Sequence, residues 1–484
     1  MHTLSAFEIR KKFLNGDLSA EQVTSHFLKR IETFDQEIGA FLTVLDEKAL
    51  DQARKLDEKR KKGLKLGKLA GIPIAFKDNI HIKDVITTCA SKFLTNYKAP
   101  FNATVTSLVE EEDGILIGKT NLDEFAMGSS TENSALKKTR NPWNLSCVPG
   151  GSSGGSGAAV SARLCPIAFG SDTGGSIRLP AAFCGVTGFK PTYGRVSRYG
   201  LVAYGSSLDQ IGPFAKEVKD IALMMEVIGK HCEKDSTSIP LGSEEIVSKL
   251  GTFPKDLKIG VPWHLIEKLS EEPKKAFLGA LEVYKNLGAA LVDIRLDLID
   301  YSIAVYYILA TAEASTNLAR FDGIRYGLRS PRAKTLREVY DFSKEEGFGK
   351  EVKKRILLGT FVLSAGYQNA YYKKAQKVRT LIIEEFRRAF SSCSIIAMPV
   401  SPFAAFKSGE IKDPIQMYLE DLYTIPCNLA GLPAISIPSG FTQDGRPLGL
   451  QLMAAQKQDG LLLQAADAFQ RATPYHQAIP DLYK

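Results

Sequence analysis

Two glycine clusters and one lysine carry the chemistry legible in this sequence. The first cluster is Pro149-Gly150-Gly151-Ser152-Ser153-Gly154-Gly155-Ser156-Gly157. The second is Ser171-Asp172-Thr173-Gly174-Gly175-Ser176-Ile177-Arg178-Leu179-Pro180. Glycine recurs where a backbone must take positive φ or come very close to something. A flexible tether shares that composition, but Ala158-Ala159-Val160 and Cys165-Pro166-Ile167-Ala168-Phe169 between the clusters are apolar and core-like, as tethers are not. Each cluster brings a serine, whose hydroxyl is a weak nucleophile until a base takes its proton. A neutral lysine can be that base when burial lowers its pKa. Lys77 ends the apolar run 71–76, where a strand would both bury it and fix its position. Thr173-Gly174-Gly175-Ser176 leads into a helix expected over 176–183, whose free N–H groups would stabilise an oxyanion. On that reading Ser176 is the nucleophile.

Three other chemistries compete for the same residues. Gly114-Ile115-Leu116-Ile117-Gly118-Lys119-Thr120 is similar to a phosphate-binding loop but has three residues between its glycines where four are needed, so it reads as a strand end. Gly150-Gly151-Ser152-Ser153-Gly154 matches G-x-S-x-G, which would make Ser152 a nucleophile served by His264 or His476. The turn-rich stretch 141–146 before it has little strand character. Ser134-Ala135-Leu136-Lys137 fits S-x-x-K, but the S-D-N and K-T-G companions of that motif are missing.

The elements that must position these residues alternate. Helices are expected from Ser19 through Phe34, with a capping box at Ser19–Gln22, and over 47–61, 105–112, 274–286 and 460–472. Strands are expected at 71–76, 114–118, 257–261, 290–294, 394–397, 434–438 and 448–453, the last after the Asp444-Gly445 turn. Such alternation argues for an α/β fold with a sheet covered by helices on both faces. No repeat or long linker divides the 484 residues, so the expectation is one domain over 1–484, with a helical region at about 1–65 and a mostly helical segment at about 301–390.

Composition excludes several classes. The hydrophobic content of 44% and charged content of 24% are those of a globular chain, and the longest apolar stretch, 303–312, is too short to span a membrane. Met1-His2-Thr3-Leu4-Ser5 shows no secretory pattern. Seven scattered cysteines without a C-x-x-C pair suggest reduced thiols and no structural zinc, which together imply a cytoplasmic protein. A net charge of +8 permits an anionic partner without requiring one.

The two clusters, with Gly71-Ile72-Pro73-Ile74-Ala75-Phe76-Lys77-Asp78, resemble the amidase signature family. The resemblance implies a large mixed central sheet, with Ser176 as nucleophile, Ser152 as proton relay (after a cis peptide) and Lys77 as base. Thr173, Gly174 and Gly175 would be the oxyanion donors. Further stretches, 121–134, 313–327, 355–361 and 423–433, are similar to family members that act as the glutaminase component of tRNA-dependent amidotransferases. For those, the resemblance implies glutamine as substrate, bound by Arg355 and Asp421 with Tyr306, Gly128 and Ser129. Arg355 would fork onto the carboxylate and Asp421 would accept from the ammonium. It implies no cofactor or metal in this chain, with ATP and Mg at a partner subunit. It also implies a heterotrimer with the amidotransferase B and C subunits, in which Glu-tRNA(Gln) is met mainly through the B subunit. Met398-Pro399-Val400-Ser401-Pro402 and Leu122 depart from the family pattern away from the catalytic positions and read as packing variation. The alternatives are a free-standing amidase with the same serine–lysine machinery, and a silent scaffold, against which the intact Lys77, Ser152 and Ser176 argue.

Overall fold

The chain folds around one eleven-stranded mixed sheet. A computed structural model describes residues 1–484 apart from Lys268 and the side chains of Pro414 and Ile415. The strands are β1 (Phe41–Val44), β2 (Pro73–Lys77), β3 (Ile115–Thr120), β4 (Ile167–Asp172), β5 (Thr187–Lys190) and β6 (Gln210–Ala215). They are followed by β7 (Lys258–Val261), β8 (Ala290–Asp293), β9 (Ile395–Pro399), β10 (Ala434–Phe441) and β11 (Pro447–Ala454). Their order across the sheet is β1-β3-β2-β4-β6-β5-β10-β11-β9-β7-β8. Every residue of β2 through β6 is buried. Since successive strand residues point to opposite faces, helices must cover the sheet on both sides. The edge strands β1 and β8 are the ones left largely half-buried or exposed. The chain adopts the α/β class expected from the alternation, with the large mixed sheet that the family resemblance implies.

Parallel pairing sets up the site. β2 lies between β3 and β4 and runs parallel to both, with Phe76 opposite Lys119 and Phe169. All three strands therefore end at the same edge of the sheet, where chain reversals leave room for a ligand. Lys77 and Asp172 are the last residues of β2 and β4.

Most expected elements are present with their ends moved by a few residues. Two differences concern the glycine clusters. The helix expected over 176–183 spans Arg178–Cys184, so Ser176 sits in the turn before it. The first cluster is not simply a loop, because Gly154–Ser161 is a helix buried along its whole length. Glycine is needed there for contact: a Cβ on Gly155 would lie 2.5 Å from the backbone N and O of Asn121. The sheet also includes β1, β5 and β6, which carry little sequence signal. Between residues 299 and 389 lie the helices Ile299–Asn317, Leu336–Gly347, Lys350–Leu363 and Tyr372–Ala389.

Candidate active site

Lys77 reaches from the end of β2 into a pocket of hydroxyls. Its Nζ lies 2.7 Å from Ser152 Oγ, 2.8 Å from Ser153 Oγ and 3.3 Å from the Ser171 carbonyl, and the side chain is fully buried. Among the described residues it forms no ion pair with a carboxylate. Burial pulls the ammonium down to about 7, and the more distant charges of Asp123, Asp172 and Asp209 offset this only in part. At that value a lysine is half neutral near neutral pH and can take a proton. Sequence reasoning misses Ser153, whose only signal is its position beside Ser152.

The two glycine clusters meet through their backbones. The Gly151–Ser152 peptide is cis. The Ser153 N–H donates to the Ser176 carbonyl at 3.2 Å, which brings the two serine loops together. Ser176 is buried, and among the described residues no hydrogen bond joins its hydroxyl to Ser152 or Lys77.

Asp172 shapes the second loop. Its carboxylate accepts from the N–H groups of Gly175 at 2.9 Å and Ile177 at 3.1 Å, from Asn428 Nδ2 at 2.8 Å, and from Arg178 Nε and Nη2. The Gly175 N–H, expected to face an oxyanion, is thus committed to Asp172. The N–H groups of Thr173, Gly174 and Ser176 have no acceptor among the described residues. Thr424 Oγ1 donates to the Gly174 carbonyl at 2.7 Å, and Thr173 Oγ1 donates to Asp209 at 2.6 Å. Gly175 takes φ +142°, and a Cβ there would overlap the Thr424 hydroxyl. The Tyr306 ring packs on Gly174, where a Cβ would lie 2.8 Å from Tyr306 Cζ. Sequence reasoning also misses Asp172, Asp209, Thr424 and Asn428 as residues of the site, although Asp172 lies inside the motif itself.

A cavity of about 320 Å³ is lined in part by Gly128, Ser129, Tyr307, Glu351, Arg355 and Tyr418. Arg355 projects inward from Lys350–Leu363. It is buried and donates to Tyr204 Oη at 2.7 Å and Glu351 Oε1 at 2.8 Å, with its guanidinium over the Tyr307 ring. Ser129 Oγ donates to Asp421 Oδ2 at 2.7 Å. Burial pushes Asp421 up to about 7, against the opposing effects of that hydroxyl and of Arg355. Arg355, Ser129 and Tyr307 therefore line one cavity, with Asp421 behind Ser129 and Tyr306 behind Tyr307, the two tyrosine ring centroids 5.2 Å apart.

The competing motifs are used elsewhere. Lys119 is buried in β3 and pairs with Asp78 at 2.7 Å, which leaves no phosphate cradle. Ser134 donates to Asn121, while Lys137 Nζ reaches Asp35 and the Phe41 carbonyl. His264 sits near the Leu296 carbonyl, and His476 lies in the C-terminal turn Tyr475–Gln477. Among the described residues, no hydrogen bond joins either histidine to Ser152 or Ser176. The seven cysteines are all free and buried.

Comparison with known proteins agrees with this arrangement. The A subunit of glutamyl-tRNA(Gln) amidotransferase from Protochlamydia amoebophila (strain UWE25) is 66% identical over 484 residues, covering 100% of this chain and 99% of that one. The protein of the same name from Chlamydia pneumoniae is 54% identical, covering 100% of this chain and 98% of its own. The crystal structure of the corresponding protein from Thermotoga maritima superposes with a TM-score of 0.81 at 42% identity, covering 99% of this chain and 97% of that one. The family model described as Amidase matches residues 22–463, and the chain belongs to the amidase (amidase signature) family.

Proposed function

We propose that this chain is the glutaminase subunit of a cytoplasmic tRNA-dependent amidotransferase, with Ser176, Ser152 and Lys77 as its catalytic residues. The observation that carries the chemistry is the buried Lys77, which faces two serine hydroxyls and no carboxylate. Opposite charges at Arg355 and Asp421 suit the carboxylate and ammonium ends of a free amino acid, and glutamine has the amide to be cleaved. The full-length likeness to chains named as the A subunit of glutamyl-tRNA(Gln) amidotransferase supports the same substrate.

In this mechanism neutral Lys77 takes the Ser152 proton as Ser152 takes that of Ser176. Ser176 Oγ then attacks the side-chain amide carbon of glutamine. The oxygen that becomes negative faces the N–H groups of Thr173, Gly174 and Ser176, where one donor is typically worth about a hundred- to a thousandfold in rate. The proton returns through Ser152 to the departing nitrogen, and ammonia leaves. Water then cleaves the glutamyl ester of Ser176 along the reverse proton path. The ammonia passes to a partner B subunit, which uses ATP and Mg to activate Glu-tRNA(Gln), and a C subunit completes the heterotrimer. Among the described residues no helix is long and apolar enough to cross a membrane.

Co-expression with the partner subunits tests this reading. Ser176→Ala should abolish glutamine-dependent amidation of Glu-tRNA(Gln) and leave ammonia-dependent amidation intact. Equal loss of both would sink the transfer scheme, and hydrolysis of other amides in preference to glutamine by the free chain would favour a stand-alone amidase.

A further inference from the structure

The helix that carries Arg355 has a second face. Val352, Arg355, Gly359 and Val362 point inward at helical spacing, while Leu357, Leu358 and Phe361 point to solvent. Leu357 is 71% exposed, more than any other large hydrophobic residue of the chain's described surface. The connection that follows, 364–371, is exposed over most of its length and contains Tyr367 and Tyr371. These aromatics form one cluster: Phe361 and Tyr367 have ring centroids 4.3 Å apart, and Tyr371 lies 6.1 Å from each. Leu381, on the outer side of Tyr372–Ala389, is half exposed. Isolated surface hydrophobes need no explanation, but a contiguous apolar patch on a globular chain marks an interaction site.

The rim of the patch is cationic. Within residues 350–377, Lys350, Lys353, Lys354, Lys373, Lys374 and Lys377 are accompanied by one acid, Glu351, which accepts from Arg355. Over the whole chain, 62 basic residues face 54 acidic ones, so this imbalance is local. None of these six lysines is in an ion pair among the described residues. Lys353 and Lys354 instead reach the Glu345 carbonyl and Tyr418 Oη.

We propose that this surface, formed by the outward face of Lys350–Leu363, residues 364–371 and the first turns of Tyr372–Ala389, docks an acidic amphipathic helix of a partner subunit. The proposal rests on the reading of this chain as one component of a larger assembly. The apolar centre fits the non-polar stripe of a helix, and the lysine rim fits carboxylates flanking that stripe. Single-stranded RNA is a poorer occupant, because bases stack on aromatic rings and the most exposed side chain here is a leucine. A second copy is poorer still: a two-fold contact would set the lysine rim against itself. Docking here would brace the helix whose opposite face presents Arg355 to the pocket. The same contact would then tighten glutamine binding, and glutamine would tighten docking by the same factor.

The test compares wild type with two surface variants, Leu357→Asp/Phe361→Asp and Lys373→Glu/Lys374→Glu/Lys377→Glu, each purified alone and with the partner subunits. Both variants should melt like wild type and retain its glutamine hydrolysis as free chains, since none of these residues lines the site. Affinity for the partner subunits should fall at least about thirtyfold for the apolar pair. The charge-reversed variant should bind more slowly, and its binding should lose most of its salt dependence. Amide hydrogen exchange across 353–381 should slow in the wild-type assembly, and the KM for glutamine should fall on assembly in wild type only. Wild-type affinity in both variants, with protection elsewhere, would overturn the docking surface and leave the glutaminase reading standing. Normal assembly with lost tRNA retention would assign the surface to RNA instead, and a variant-sensitive dimer of the free chain would assign it to self-association. If wild type forms no assembly at all, the reading of the chain as a component falls and this surface falls with it.

Discussion

Lys77 and Arg178 are both fully buried cations, and their surroundings are opposite. Arg178 meets the Asp172 carboxylate at 3.0 and 3.1 Å, and its remaining donors reach the Thr424 carbonyl, Gln451 Oε1 and Asn428 Oδ1. Burial by itself raises the Asp172 carboxyl, but the Arg178 charge and its hydrogen bonds override this and hold it at about 2. Lys77 meets only hydroxyls and a carbonyl, and burial brings it down to about 7. A buried cation with a charge partner is a fixed strut; without one it becomes a titratable base. The molecule places one of each beside the same loop, so that loop geometry is set by a pair that does not titrate in the working range.

The sharpest way to break this contrast is to make the Lys77 charge permanent. Lys77→Arg should lose about 10⁴-fold in kcat for glutamine hydrolysis, as should Lys77→Met, because a guanidinium does not give up its proton. Thermal melts would check that both variants fold; turnover in Lys77→Arg above about a tenth of wild type would end the base assignment. On the other side, Arg178→Met leaves Asp172 buried and alone. It should lower stability by about 3–5 kcal/mol in denaturant unfolding at pH 7. Arg178→Met combined with Asp172→Asn should recover part of that loss, and a double variant as unstable as the single would mean that the arginine acts mainly through packing.

The pH profile sharpens the contrast from the titratable side. Lys77 must be neutral to accept a proton, and its activity therefore rises with pH through about 7. Asp421 is also pushed up to about 7, and on the proposed reading it must be ionised to receive the glutamine ammonium, so its effect has the same sign. In the free chain both groups count, and kcat/KM should fall by about a hundredfold per pH unit well below 7. Bound ammonium keeps Asp421 ionised, so kcat should fall only about tenfold per unit. Asp421→Asn should reduce the kcat/KM slope to that of kcat, and an unchanged slope would remove Asp421 from the binding step.

The contrast itself is only half legible in the sequence. The run 71–76 reads as a buried strand because it is continuously apolar, and a lysine at its end has to be buried or at a sheet edge. The serines stand out by their glycines. The helix Gly154–Ser161 does not, since its glycines answer to the backbone of Asn121, a contact made only in the folded chain. β5 has four residues and pairs with β6 and with β10, which comes more than 240 positions later, so no local pattern announces it. Arg355 and Asp421 look like ordinary helix and turn residues, and only the family resemblance singles them out. That Asp172 holds the Gly175 N–H is not legible either: a motif gives residue types, not which donor meets which acceptor.

The smallest expected effect concerns the peptide between Gly174 and Gly175, which is gripped at both ends. Its carbonyl accepts from Thr424 Oγ1 at 2.7 Å, and its N–H donates to Asp172 at 2.9 Å. Arg178 fixes Asp172 and also bonds the Thr424 carbonyl at 2.9 Å, so both grips trace back to the one non-titrating pair. With that peptide plane fixed, the flanking Gly174 and Ser176 N–H groups, the oxyanion donors of the proposed mechanism, are held as well. Thr424→Val keeps the shape and removes the donor. It should lower kcat by about two- to tenfold, the range of a single hydrogen bond, with KM for glutamine unchanged. Thr424→Ser should restore turnover, because the hydroxyl and not the methyl does the positioning. A rise in KM at constant kcat would place Thr424 with Asp421 in substrate binding, and the loop would then owe its geometry to Asp172 alone.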